Sequence, residues 1–211
     1  MSSADFSVFL IDDDPGVLKA LARLLRTAGY KTRAFSSPEQ FLCEHDPEIP
    51  GCAVLDFAMP GLDGLALQQA LMDRDATRPI IFLSGNSNIP VSVRAMQAGA
   101  VDFLVKPVNK TQLLQAVARA VDRDERTRRD GEDYRTIQRQ ITRLTRREHQ
   151  VLVQVIAGRL NKQIAAELGT VEKTIKVHRS RMMTKMGVRT VAELVRLTEK
   201  IGMQPWASAP H

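Results

Sequence analysis

The sequence predicts two dissimilar domains. The first, residues 1–121, is an α/β domain on a doubly wound, five-stranded parallel sheet; the second, residues 144–204, is an all-α domain of four short helices. Three observations predict this. Short apolar runs alternate with helical patterns up to about residue 120, which demands βαβ crossovers and a sheet covered on both faces. Beyond residue 144 the pattern is wholly helical. Charge divides in the same way: residues 1–125 hold 12 Lys and Arg against 16 Asp and Glu, whereas residues 126–211 hold 18 against 8.

The strands are expected at residues 8–11, 32–35, 52–56, 80–84 and 102–105, each a nearly unbroken apolar run. Helices fit residues 15–28, 38–45, 64–74 and 90–98, with a fifth starting near Lys110. Pro15 stands where a first helical turn tolerates proline, Gly29 and Gly99 follow their helices as stops, and Asn109 is placed to cap the fifth. Residues 122–143 are dense in charge and poor in core residues; they read as the end of that helix running into a helical linker, with a break at Gly131. A second reading is a short dimerising seam, because Ile137, Ile141 and Leu144 recur at i, i+4 and i+7. Four helices follow at 146–157, 162–168, 172–186 and 191–201, separated by Gly158, Gly169 and Gly187, and residues 205–211 read as a flexible tail.

No window approaches the roughly 20 apolar residues of a spanning helix, so the chain is not expected to span a membrane. Cys43 and Cys52 make neither a disulfide framework nor a metal spacing and read as buried thiols of a cytoplasmic protein. The basic second half suits a polyanion: nucleic acid first, an anionic membrane surface second, a merely solvated face as the plain alternative.

Ligands of doubly wound sheets bind beyond the carboxyl ends of the strands. Asp12 and Asp13 follow the first strand, Asp56 ends the third, Ser84 ends the fourth, and Lys106 follows the fifth. Three carboxylates, a hydroxyl and an ammonium therefore converge on one crevice. Clustered carboxylates call for a cation, and hard oxygen ligands favour Mg²⁺ with a phosphate oxygen as partner. Asp56 could then be a metal ligand only, or the nucleophile that takes a phosphoryl group.

These residues carry a resemblance. "FLIDDDP", "VLDFAMPGLDG", "FLSG" and "AGAVDFLVKP" resemble the signature blocks of the receiver domain of bacterial two-component response regulators, whose fold is flavodoxin-like, over about residues 5–121. The resemblance implies that Asp56 is the phosphoacceptor, and that Asp12, Asp13, Asp56 and the backbone carbonyl of Ala58 hold Mg²⁺. It implies that Ser84 and Lys106 contact the phosphoryl group, that Lys106–Pro107 is cis, and that Phe103 is a switch aromatic that turns inward with Ser84. It also implies a dimerisation face on the fourth helix, where Val93, Met96 and Gln97 stand; the alternative for Val93 and Met96 is core. Gly85 replaces the alanine common after the serine, with Asn86 next.

In the second half, "NKQIAAELGTVEKTIKVHRSRMMTKMGV" has the outline of a helix-turn-helix. Ile164, Ala165 and Leu168 give one helix an apolar face, and Ile175, Met182 and Met186 do so for the next. With its surroundings it resembles the four-helix LuxR-type DNA-binding domain. The resemblance implies base-edge positions for Lys176, Val177 and Ser180, and phosphate or backbone contacts for Lys162, Lys173, Thr174, His178 and Arg179; His178 could equally be a packed helix residue, and Arg181 and Lys185 solvated charges. Val171 stands where the family has a capping Ser or Thr, so Thr170 is expected to cap the recognition helix instead.

The whole resembles a response regulator of the FixJ/NarL type: a phosphorylation-activated transcriptional regulator that is not an enzyme beyond its own phosphoryl transfer and dephosphorylation. The implied partners are a sensor histidine kinase, double-stranded promoter DNA, a second copy of the chain and RNA polymerase. Two alternatives remain at this point, a Mg²⁺-dependent phosphohydrolase tethered to DNA and a regulator whose first domain is only a dimerisation or ligand module.

Overall fold

The computed structural model describes residues 6–61, 64–73, 78–85 and 89–203. Asn86 and the tail at 205–211 lie outside them. The chain forms two compact units, residues 1–128 and 129–211.

The first unit runs β1 (Ser7–Ile11), α1 (Pro15–Thr27), β2 (Lys31–Phe35), α2 (Pro38–Glu44), β3 (Gly51–Asp56), α3 (Gly64–Met72), β4 (Ile80–Ser84), α4 (Ile89–Gln97), β5 (Asp102–Val105) and the start of α5 (Lys110–Thr142). All strand pairs are parallel, in the order β2-β1-β3-β4-β5. The central strands are apolar throughout because both faces are covered. Val8, Leu10, Val54, Ile81 and Leu83 pack with Leu25 of α1 and Leu113 and Val117 of α5. Their neighbours Phe9, Ile11, Leu55 and Phe82 pack on the opposite face with Phe41 of α2 and Leu67 of α3. β1 and β3 approach so closely at Gly51 that a Cβ there would stand 2.2 Å from the Ser7 carbonyl oxygen. Gly29 and Gly99 end α1 and α4 at φ 90° and 89°, a conformation that favours glycine.

α5 is one helix of 33 residues, unbroken at Gly131, where glycine costs the helix only about 1 kcal/mol. The division between the units falls inside it, because its residues up to Arg128 hold the base of the first unit. Arg128 donates to the carbonyls of Pro47 (2.7 Å), Glu48 (3.2 Å) and Ile49 (3.0 Å) and pairs with the buried Asp124 at 2.8 Å. Beside it the buried Arg78 donates to the carbonyls of Asp46 and Ile49 and to Nε2 of His45, and lies over the Phe9 ring. Burial lowers the Arg78 pKa to about 10, with the Asp124 charge opposing the shift. Cys52 is buried, its thiol pushed up to about 12 chiefly by burial; Cys43, expected buried, is exposed, since it lies near the end of α2 away from Phe41.

The second unit contains the end of α5, then α6 (Arg146–Ile156), α7 (Asn161–Glu167), α8 (Glu172–Lys185) and α9 (Val191–Glu199). Ile137 is buried with Val151, Leu152, Ile164, Ile175, Met182, Met186 and Leu194, and Ile141 and Leu144 pack against them. The i, i+4, i+7 seam is thus core of this unit rather than a free dimerising stripe.

Candidate functional site

The acids at the strand ends are brought together by the register of the sheet. Asp56 is paired with Leu83 and Ser84 with Val105, while the Phe57 amide bonds the Leu83 carbonyl and the Lys106 amide the Ser84 carbonyl. The carboxyl ends of β1, β3, β4 and β5 therefore open on one crevice.

Asp12, Asp13 and Asp56 each place a carboxylate oxygen within 4.8 Å of the others. Asp12 and Asp56 are buried and Asp13 is exposed, so the cluster has two inner acids and one at its mouth. Lys106 Nζ lies 2.7 Å from Asp12 Oδ2 and 3.3 Å from Asp56 Oδ1. Burial raises the Asp56 pKa; the Lys106 charge opposes this, and the nearby Asp12 charge adds to it. Lys106 is also partly buried, but its hydrogen bond to Asp12 and the two carboxylate charges outweigh that and raise its pKa. The Ala58 amide donates to the Asp56 carboxylate. Ser84 is buried at the end of β4, and Lys106–Pro107 is cis.

Three carboxylates against one ammonium leave a charge deficit that a divalent cation would balance, and an all-oxygen donor set is the kind that Mg²⁺ takes. Asp14 belongs to the helix instead: its Oδ1 accepts from the amides of Gly16 (2.7 Å) and Val17 (3.3 Å), while its own amide donates to Asp12 Oδ1. Asn109 caps α5 in the same manner.

Phe103 is half-buried against Phe57 and Phe82, with ring centroids at 6.0 and 6.3 Å. On α4, Val93 and Met96 are 47% and 45% exposed, which removes them from the core. A Cβ at Gly85 would meet nothing within 4 Å, so no steric demand explains the glycine there.

In the second unit, one side of α8 is open. Lys173, Lys176, Val177, Ser180, Arg181 and Thr184 are all exposed and form one stripe, with Lys176 paired to Glu172 at 3.2 Å. Lys162 is exposed on α7. Thr174, His178 and Arg179 are half-buried toward the edge of the stripe. His178 has its Nδ1 enclosed, and Arg179 Nη1 donates to Asn161 Oδ1 at 2.9 Å. Two expectations are corrected. Lys185 is not a solvated charge: its Nζ donates to Glu148 Oε2 at 2.6 Å and to the Arg143 carbonyl at 3.1 Å. Thr170 does not cap α8: the cap position is Val171, with no side-chain bond to the helix, because the turn of Gly169 and Thr170 is completed by a Thr170 amide bond to the Ala165 carbonyl. The Glu148–Lys185 pair escaped the sequence reading, although Thr145-x-x-Glu148 carries a capping-box signature.

Comparisons with known proteins agree with this geometry. The family described as "Response regulator receiver domain" matches residues 8–118, and "Bacterial regulatory proteins, luxR family" matches residues 142–198. The chain is 40% identical to Nodulation protein W of Bradyrhizobium diazoefficiens over 93% of its own length and 86% of that protein's. It is 35% identical to the transcriptional regulatory protein FixJ of Rhizobium meliloti, over 95% and 98%. Among solved structures, the response regulator StyR superposes with a TM-score of 0.83 at 42% identity, covering 93% of this chain and 99% of that one. Full-length FixJ from B. japonicum gives 0.56 at 36% identity, covering 93% and 97%. The chain belongs to the response-regulator family, as a receiver domain joined to a LuxR-type DNA-binding domain.

Proposed function

We propose that Asp56 accepts a phosphoryl group from a sensor histidine kinase and that this switches binding of the second unit to promoter DNA. The observation that carries the reading is the buried Asp56 carboxylate set beside Lys106 and two further acids in one crevice. An Asp56 oxygen attacks phosphorus, the nitrogen–phosphorus bond of the donor phosphohistidine breaks, and the imidazole leaves with the bonding pair. Lys106 holds a negative oxygen of the incoming group, Ser84 bonds another, and the Ala58 amide donates to the Asp56 carboxylate. Positioning and charge neutralisation are the protein's contribution. Asp12, Asp13, Asp56 and the Ala58 carbonyl would hold Mg²⁺, which when bound would supply charge neutralisation for the phosphoryl oxygens.

Ser84 then moves toward the phosphoryl group, Phe103 turns inward, and two receivers pair through the face bearing Val93, Met96 and Gln97. The paired second units read a two-fold DNA site, where RNA polymerase is engaged. The protein acts in the cytoplasm, in keeping with the lack, among the described residues, of any helix long and apolar enough to cross a membrane. It turns over no diffusible substrate apart from its own phosphoryl group. The test is acetyl phosphate with and without Mg²⁺, following mass, oligomeric state and DNA binding. Wild type gains one phosphoryl mass only with Mg²⁺ and Asp56→Asn gains none; a wild type that never gains it would sink the mechanism.

A further inference from the structure

The two most exposed large apolar side chains among the described residues are Leu160, at 69%, and Val171, at 65%, and Val171 stands at the N-cap of α8. Nothing inside its own unit accounts for valine there. The neighbouring helices α6 and α9 are capped by Thr145 and Thr190, whose hydroxyls accept from the amides of Glu148 and Glu193. At α8 the same position carries no side-chain bond, although a hydroxyl would stabilise the helix. The Val171 carbonyl already starts the helix by accepting from the amides of Thr174 and Ile175. The side chain therefore contributes neither a cap nor core packing.

Its surroundings say what it meets. It begins the helix whose open stripe carries Lys173, Lys176 and Arg181, cations that suit a phosphate-lined groove. In a helix-turn-helix, the N-terminal residues of the second helix approach base edges in the major groove. The one apolar group that base pairs present there is the C5-methyl of thymine. We propose that Val171 is a specificity-determining residue that packs on a thymine methyl group at the N-terminal end of α8, trading a helix cap for a base contact. This rests on the DNA-binding reading above, and it concerns this chain's departure from the usual Ser or Thr.

The test uses the full-length chain treated with acetyl phosphate and Mg²⁺, and a duplex enriched from a random pool by repeated binding. Each thymine of that duplex is replaced in turn by deoxyuridine, which lacks only the methyl group. Removing the contacted methyl should weaken wild-type binding about threefold to fivefold at one position per half-site, the worth of one buried methylene-sized group. Val171→Ala should be indifferent to deoxyuridine at that position while keeping wild-type sensitivity at any other. Val171→Ser should be similarly indifferent yet melt at a higher temperature, since it regains the cap; a purely structural residue would not separate the two readouts. If wild type tolerates every deoxyuridine, or if Val171→Ala keeps the full pattern, the inference is overturned with the DNA-binding reading intact. If no duplex enriches, the DNA-binding reading itself fails and takes this inference with it.

Discussion

Asp12, Asp13 and Asp14 are adjacent in sequence and chemically unlike in the fold. Asp12 is buried against Lys106, Asp13 stands exposed at the mouth of the acid cluster, and Asp14 closes the first turn of α1. Pro15 marks a helix start in the sequence, which makes the residue before it the cap position. Unequal mutants should follow. Asp14→Ala should cost about 1 kcal/mol in chemical denaturation and leave phosphoryl uptake from acetyl phosphate unchanged. Asp13→Ala should leave stability near wild type and abolish the Mg²⁺ dependence of uptake, read by mass. Lys106→Met should lower the uptake rate about a hundredfold, the usual loss when one electrostatic partner of a transferring group is removed; a rate within threefold of wild type would mean that Lys106 only compensates ground-state charge.

At the scale of elements, local signals and long-range partners part company. Caps at Asp14, Ser37, Thr145 and Thr190 are each visible within three residues of sequence. The seam of Ile137, Ile141 and Leu144 has the right period for a helix face but says nothing of what covers it, and the cover comes from α6, α7, α8 and α9. Glu148 joins both kinds of signal. It closes the capping box of α6 locally and, 37 residues on, takes Lys185 at the end of α8. The Lys185 hydrogen bond, with the Thr145 amide next, lowers the Glu148 pKa to about 2 from 4.5. A carboxylate with a depressed folded value stabilises fully above its unfolded pKa, because below it the unfolded chain gains a proton that the folded chain refuses. The helical unit should therefore lose stability as pH falls from about 4.5 toward 2, seen as faster amide exchange at Val151 and Leu152. Glu148→Gln should flatten that part of the profile. Glu148→Ala should destabilise by about 2–3 kcal/mol, below the range for a wholly enclosed pair because Lys185 is a third exposed.

For the whole molecule, alternation of strands and helices, the charge division and the strand-end acids were enough to read both units and the crevice, since each depends on periodicity or on where a strand stops. The boundary between the units was not legible. Residues 122–143 look like a solvated linker because charge density carries no record of partners far away in sequence, and Arg128 finds its own at the carbonyls of residues 47–49. The first compact unit runs to Arg128, and ending the chain earlier removes the Arg128 bonds to the carbonyls of residues 47–49 together with the Asp124–Arg128 pair. A fragment of residues 1–121 should be less stable to urea than one of residues 1–128 by about 3 kcal/mol, the order of the net worth of the charged Arg128 hydrogen bonds to the Pro47, Glu48 and Ile49 carbonyls. Asp124→Ala in the full chain should reproduce part of that loss, since it leaves Arg128 without its carboxylate, with faster amide exchange in β3 at Cys52 and Ala53. Both changes act on the segment that leads into β3 at Gly51, where Arg128 and Arg78 share the Ile49 carbonyl. Equal stability of the two fragments would reduce the Arg128 bonds to the 47–49 carbonyls to surface decoration.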